Sequence, residues 1–400
     1  MKKIFLLLLP FSIFAKSYLL SDIPLPTIYI QNLDPYPCDT FCLREYLKKN
    51  MIFSFLAYAD TKLENEEQEQ MRMMHVSILN LGSTIKTEEI RIAMLLPYKT
   101  IGKYTASTTN AVFAYLIAKN RAFTLKSYKI ESENIEDIQT GITQLQKDGF
   151  SYVIAPLTQK GADNVLALNP ALSIYFPTIH KKESTIAPLS FYYGGIDYMA
   201  QSDLLLKQAV SPLVIFYDSS PIGAQLSQYE EEHFKQDATR YPRVIKFSIP
   251  TRTTNLQSQL KNNTSIHSGS FFMNTPIVKT GMIMSQLTLY STHPKNILST
   301  QINYDPLLLS MTQYQDRKGM IVANSITEYN SFLTETNELL NNDIAYDWIN
   351  YTTTVGIDYF YNLITKEAQA YPIKMQNNQM IYNIELLRPS FSRFVKFSPN

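Results

Sequence analysis

The sequence predicts an α/β protein of two successive lobes, each built on a parallel sheet, with a short helical hairpin before them. Short apolar runs alternate with helical stretches from residue 90 to 176, a pattern typical of right-handed β–α–β units. The same alternation starts again near residue 189 and continues to about 323. The chain has 400 residues, more than one core usually serves, so two lobes suit its length.

Composition limits the classes of function. Lys and Arg total 36 against 35 Asp and Glu, and this near balance predicts neither a nucleic-acid partner nor attraction to an anionic membrane. Glycine occurs only 12 times, which argues against several phosphate-binding loops, and we expect no cofactor. Tyr and Phe, by contrast, contribute 27 and 21 residues.

Residues 1–17 have the pattern of a secretory signal peptide. Lys2 and Lys3 precede an apolar run over 4–14, and small residues at 15 and 17 predict cleavage before Tyr18. A membrane anchor is the weaker alternative, because eleven helical residues rise only ~16 Å against a ~30 Å hydrocarbon core. We therefore expect a periplasmic protein whose mature chain has no transmembrane segment.

Residues 18–88 predict a proline-containing extended leader followed by the helical hairpin. Apolar residues recur at helical spacing over 38–60, and a helix with one acidic face follows over 61–80. Cys38 and Cys42 are the only cysteines, and an even, close pair in an exported chain predicts a disulfide. Two free thiols, a redox pair and a zinc site are weaker alternatives; the Cys-x-x-Cys spacing of a redox pair and the nearby histidine ligands of a zinc site are missing.

The first lobe is predicted over residues 89–195, completed by about 325–375. Its strands are expected at 90–96, 123–130, 152–157 and 172–176, with helices at 105–120, 134–149 and 158–168. The second lobe is predicted over 196–324, completed by about 376–400. Its expected strands are 213–217, 244–249, 270–273, 296–299 and 319–323. A long helix over 331–366, broken near 341–343, and two terminal extended runs at 379–386 and 391–397 close the chain.

Catalytic motifs are sparse. Ser83–Lys86, Ser132–Asn134 and Lys279–Gly281 match, in order, the three motifs of serine penicillin-binding enzymes. However, Lys86 leads into a predicted strand and Lys279–Gly281 lies in a predicted helix, so an acyl-serine enzyme is the weakest hypothesis. The histidines are scattered singly, which predicts no metal site, and Glu230–Glu232 is expected to be a solvated helix face. We expect no enzymatic activity.

Five segments carry a family resemblance. The segments at 90–98 (IRIAMLLPY), 151–168, 212–234, 271–304 and 348–364 resemble, in this order, the type I periplasmic binding-protein fold. More narrowly, they resemble the exported proteins that activate penicillin-binding proteins at the outer membrane. The resemblance covers about residues 89–400 and implies two Rossmann-like lobes with a cleft between them.

In ligand-binding members of this family, loops at the carboxyl ends of the strands hold a small polar ligand, and a helix N-terminus binds its carboxylate. By position, the resemblance implies the ligand residues Tyr98, Lys99, Thr158, Gln159, Ser219, Ser220, Asn274 and Thr275. A plain helix cap for Thr158 and a plain turn for Ser219 and Ser220 are the alternative interpretations.

Two functions remain open at this point. The favoured hypothesis is a non-enzymatic periplasmic interaction or regulatory protein with an envelope protein partner, in peptidoglycan synthesis or another envelope assembly. The scarcity of glycine and the bulky Tyr98 and Gln159 at the expected cleft favour this hypothesis. The alternative is a receptor for a small polar solute, such as an amino acid or a small peptide, in transport or sensing.

Overall fold

The structure is a computed structural model that describes residues 30, 38–59, 61–79, 90–119, 121–183, 188–236 and 242–398. The predicted signal peptide, most of the leader, and Ser83 and Lys86 lie outside the described residues. The chain divides into two compact units, residues 1–84 and 85–400.

The first unit contains the helices α1 (Thr40–Lys48), α2 (Ile52–Tyr58) and α3 (Glu66–Ile78). The first predicted helix is thus divided in two, because Asn50 takes a left-handed conformation with φ of 54°. The amides of Asn50 and Met51 donate to the carbonyls of Leu47 (3.0 Å) and Tyr46 (2.9 Å), which ends α1 in a Schellman motif.

Cys38 and Cys42 stand at the start of α1, with their sulfur atoms placed as a disulfide. Asp39 caps the helix, accepting a hydrogen bond from the Cys42 amide at 2.9 Å. A small core of Leu43, Phe55, Leu56 and Ala59 lies among the three helices.

The second unit contains all the strands of the described residues: β1 (Ile90–Pro97), β2 (Phe123–Ile130), β3 (Tyr152–Ile154), β4 (Ser173–Phe176), β5 (Phe191–Tyr193), β6 (Leu213–Tyr217), β7 (Val244–Ser248), β8 (Ser270–Asn274), β9 (Asn296–Ser299), β10 (Met320–Asn324), β11 (Lys374–Gln376), β12 (Gln379–Ile381), β13 (Glu385–Pro389) and β14 (Phe394–Lys396).

Its helices are α4 (Tyr98–Ile101), α5 (Tyr104–Ala118), α6 (Ile135–Lys147), α7 (Gln159–Leu168), α8 (Tyr198–Leu206), α9 (Pro221–Gln236), α10 (Gln257–Leu260), α11 (Ile277–Leu289), α12 (Pro306–Met311), α13 (Tyr314–Arg317), α14 (Ser331–Glu338) and α15 (Trp348–Thr365). None of the helices in the described part of the chain is both long and apolar enough to span a membrane.

In the described residues the strands form two seven-stranded sheets, ordered β11-β12-β5-β4-β3-β1-β2 and β14-β13-β10-β9-β8-β6-β7. Within each sheet the first five strands along the chain are parallel. Helices α5 and α15 share a core with one face of the first sheet, and α6 and α7 share a core with the other. This double cover explains why β1 is apolar and buried on both faces.

The chain passes between the two sheets three times, at residues 194–197, 325–330 and 382–384. The third crossing corrects the predicted completion of the second lobe from about 376. β12 pairs with β5 in the first sheet, and the Tyr193 amide donates to the Asn378 carbonyl at 2.8 Å. The predicted extended run 379–386 is therefore shared between the lobes.

Candidate functional site

The predicted ligand residues all stand at or just after the carboxyl ends of strands. Tyr98 and Lys99 follow β1, and Thr158 and Gln159 follow β3 at the start of α7. In the other sheet, Ser219 and Ser220 follow β6, while Asn274 ends β8 and Thr275 comes next. Parallel strands place such positions along one edge of each sheet, which is the ordinary ligand-binding edge of α/β folds.

The N-terminus of α7 already holds a carboxylate from the chain itself. Glu133 Oε1 accepts a hydrogen bond from the Thr158 amide at 2.7 Å, and the Thr158 hydroxyl donates to Glu133 Oε2. Glu133 is 5% exposed. A Cβ at Gly161 would lie 2.8 Å from Glu133 Cδ, so this glycine leaves the space for the carboxyl group. Thr158 therefore holds Glu133, and its side chain makes no capping hydrogen bond within α7.

Replacing Glu133 by alanine will lower the free energy of unfolding by about 2 kcal/mol. The substitution removes a buried carboxylate that accepts two hydrogen bonds at a helix N-terminus. Urea unfolding measures this change. Glu131→Ala is the matched control in the same loop: its partner Lys99 and its own side chain are both mostly exposed, so no measurable change is expected. Equal losses in the two variants would contradict the role given to Glu133.

The neighbouring candidates of the first lobe have local partners on the surface. Lys99 donates to Glu131 at 2.7 Å, and this hydrogen bond raises the pKa of Lys99. Gln159 donates to Asp163 at 2.8 Å along α7. Tyr98 is exposed.

In the second lobe, Ser220 belongs to a turn that starts α9. Its hydroxyl donates to Asp218 Oδ1 at 2.5 Å and accepts from the Gly223 amide at 3.0 Å. A Cβ at Gly223 would lie 2.3 Å from Asp218 Oδ1, so glycine is required where the turn meets the helix. Ser219 is exposed. The turn alternative for these serines is consistent with this geometry.

Asn274 and Thr275 are buried. Asn274 Nδ2 donates to Glu230 Oε2 at 2.6 Å, and the Ser202 hydroxyl reaches Glu230 Oε1 at 3.1 Å. The hydroxyls of Thr275 and Thr280 are 2.8 Å apart. Glu230 is fully buried, so the expectation of a solvated face was wrong for this residue; burial raises its pKa well above the usual value.

Further buried amides fill the same edge of the second sheet. The Gln201 side chain accepts a hydrogen bond from the backbone N–H of Gln301 at 2.9 Å and donates one to the Ser325 hydroxyl at 2.8 Å. The Gln301 side chain donates to the side-chain oxygen of Asn324 at 3.0 Å. All four residues are at least 95% buried. These hydrogen bonds fix the start of the second crossing, at residue 325.

Sequence reasoning missed a cavity of about 240 Å³ beside that crossing. Five tyrosines and one glutamate are among the residues that line it: Tyr304, Tyr329, Tyr346, Tyr351, Tyr371 and Glu328. The only sequence signal for it was the surplus of tyrosine, and a composition does not show which tyrosines come together in the fold. None of the eight predicted ligand residues lines this cavity.

The catalytic and metal alternatives gain no support from the described residues. Lys279–Gly281 lies within α11, as predicted, and its Lys279 side chain donates to the Thr253 carbonyl. Ser83 and Lys86 are outside the described residues. Across the described ranges, no three His, Cys, Asp or Glu side chains are grouped so that they could hold a metal ion.

Comparison with solved structures shows which proteins have a similar fold. The chain is similar to the substrate-binding protein LivJ of Streptococcus pneumoniae, solved with isoleucine, with a TM-score of 0.55 and 10% identity over 77% of this chain and 100% of that one. It is also similar to LpoA of Haemophilus influenzae, with a TM-score of 0.53 and 11% identity over 87% of this chain and 68% of that one.

The C-domain of LpoA, described as a regulator of PBP1A, matches with a TM-score of 0.50 and 12% identity over 77% of this chain and 100% of the domain. No protein-family model and no curated protein matches the sequence. The expected fold is confirmed: the chain has the two-lobed architecture of type I periplasmic binding proteins. The similar structures are those of binding or regulatory proteins.

Proposed function

We propose that this chain, with its type I periplasmic binding-protein fold, is a non-enzymatic periplasmic protein that binds a protein partner in peptidoglycan synthesis or a related envelope assembly. The observation that carries the proposal is the Glu133 carboxylate at the N-terminus of α7. A solute carboxylate would have to displace a buried, hydrogen-bonded group to bind there. Binding of an ordinary amino acid at this position is therefore unfavourable.

The first unit offers a surface for such a partner. It exposes the large apolar side chains of Phe41 (65% exposed), Phe53 (60%) and Met73 (55%), together with Met51 and Met74. Aromatic and methionine side chains are enriched in protein interfaces, and a small helical unit gains nothing from exposing them to water. The similarity to LpoA directs the choice of partner toward a penicillin-binding protein.

The test uses the full mature chain and the purified bifunctional penicillin-binding proteins of the cell that makes it. We expect one of them to bind, and the double variant Phe41→Ser, Phe53→Ser to weaken that binding at least about tenfold. The matched control is Leu189→Ser, Leu339→Ser, which removes two apolar side chains of the second unit that are at least as exposed, at 89% and 70%. It should bind like the unmodified chain.

Two results would count against the proposal. If none of these penicillin-binding proteins binds the full chain, a role in their regulation is wrong. If both double variants bind equally well, the first unit is not the docking surface. Export and the disulfide belong to the same proposal. N-terminal sequencing of the mature protein should begin at Tyr18, and Cys38 and Cys42 should resist alkylation until a reductant is added.

A solute receptor is the second candidate, favoured by the complete coverage of an isoleucine-binding protein of the same fold. The single Trp348 allows a direct assay, because closure of the lobes would change its surroundings. A panel of amino acids, amides and small peptides that changes neither its fluorescence nor the melting temperature would rule the candidate out.

A further inference from the structure

The tyrosine-lined cavity lies where the two lobes and the crossing at 325–330 meet. Tyr304 follows β9 of the second sheet, and Tyr351 and Tyr371 belong to the core on one face of the first sheet. Glu328 and Tyr329 come from the crossing itself. The volume of about 240 Å³ equals that of about eight water molecules at ~30 Å³ each, which is room for a small organic ligand.

Aromatic rings form two pairs around this cavity. The rings of Tyr304 and Tyr346 have their centroids 5.1 Å apart, and those of Tyr351 and Tyr371 are 5.5 Å apart with an interplanar angle of 77°. Tyr351 and Tyr371 are each 1% exposed. Their mutual packing holds the rings in place, so the aromatic wall exists before any ligand binds.

Charge around the cavity is negative. Among the described residues that line it, Glu328 alone is charged, and its carboxylate has no ion-pair partner in the described chain. Burial is the largest cause of the raised pKa of Tyr304; Tyr346 and the carboxylates of Asp343 and Glu385 add to it. Lys396, which pairs with Glu385 at 2.8 Å, and Lys103, which acts on Asp347, do not line the cavity.

We propose that this cavity binds a small organic ammonium ion. The faces of tyrosine rings attract cations through the ring quadrupole, and an unpaired carboxylate in a partly closed site attracts them further. An anion would be repelled by Glu328, and a neutral ligand would cover this carboxylate without compensating its charge. Because both lobes and the crossing contribute side chains, the bound cation would hold the lobes at one spacing.

The inference does not depend on the proposed protein partner, and its test uses the full chain alone. The probes are choline and n-butylammonium, with the neutral analogue of choline in which carbon replaces nitrogen. Trp348 is the reporter, since its ring lies 5.9 Å from that of Tyr351. We expect saturable fluorescence changes with a Kd of about 1 mM or tighter for one of the cations, and a raised melting temperature. The neutral analogue should bind at least about tenfold more weakly.

Two variants test the residues that line the cavity, and a third is the control. Glu328→Gln keeps the shape and removes the charge, so cation affinity should fall about tenfold. Tyr329→Ala removes a ring that is 70% exposed and not needed for folding, and should weaken binding several-fold. Glu338→Gln makes the same chemical change at an exposed position of α14 that does not line the cavity, and it should leave affinity unchanged. The proposal is overturned if neither cation binds the unmodified chain, if the neutral analogue binds equally well, or if Glu328→Gln has no effect.

Discussion

Replacing Gly356 by alanine will lower the free energy of unfolding by about 3 kcal/mol. Gly356 lies in α15 directly against the ring of Tyr175, and a Cβ there would stand 2.2 Å from Tyr175 Cε1. Tyr175 is fully buried, and its hydroxyl bonds to the Thr352 carbonyl at 3.0 Å. Because neither the ring nor the helix can move freely, overpacking is costly.

Gly281→Ala is the matched control. Gly281 also lies inside a helix, α11, but a Cβ there would meet Thr312 Cγ2 at 3.4 Å, an ordinary contact. This variant should be unchanged or up to about 1 kcal/mol more stable, since alanine favours the helix. Urea unfolding followed by Trp348 fluorescence and circular dichroism measures both. Equal effects of the two substitutions would show that the contact with Tyr175 is not what requires glycine at 356.

The second large effect concerns pH. Burial raises the pKa of Glu230 well above 4.5, so the folded protein binds this proton more tightly than the unfolded chain does. The stability that depends on this proton is fully present below about pH 4.5 and is lost as the pH rises toward the folded-state pKa. Glu230→Gln never ionises, so relative to the unmodified chain it should gain up to about 1.4 kcal/mol per pH unit over that range.

Hydrogen bonding permits this substitution. A glutamine amide can still accept from Ser202, and Asn274 can turn its amide to accept from the new N–H, because Asn274 Oδ1 has no partner in the described structure. Glu232→Gln, an exposed change on the same helix, is the control and should track the unmodified chain. Partly buried Asp347 and buried Asp358 also have raised pKa values, so the stability of both proteins still varies with pH. Only the difference between the two proteins therefore reports Glu230. If the free energies of unfolding of Glu230→Gln and of the unmodified chain differ by the same amount from pH 5 to 8, the prediction is contradicted.

The strands were predictable because a strand buried on both faces must be apolar along its length. β6 follows this rule along its whole length and β8 at its three middle residues, and their neighbours in the sheet follow from the handedness of the connections. The break at Asn50 was not predictable from spacing, because the apolar pattern continues through it. The left-handed residue shows itself only in the backbone.

The candidate site shows where single-sequence reasoning ends. All eight predicted ligand residues stand at or after the ends of strands, where the resemblance places them, but their hydrogen-bond partners were not visible in the sequence. Glu133 is 25 residues from Thr158, and Glu230 is 44 residues from Asn274. A charged run ordinarily faces water, and only the tertiary contacts of Asn274 and Ser202 make burial of one member favourable. The aromatic cavity likewise draws on residues 304 to 371, which no local pattern connects.

The third crossing has a consequence for biosynthesis. The edge of β5 stays uncovered until β12 arrives, and the edge of β10 until β13 arrives. A chain synthesised from its amino end therefore carries two open sheet edges until nearly all of it has been made. Neither lobe can finish before the final segment is delivered, so a truncated product would expose both edges at once and tend to aggregate.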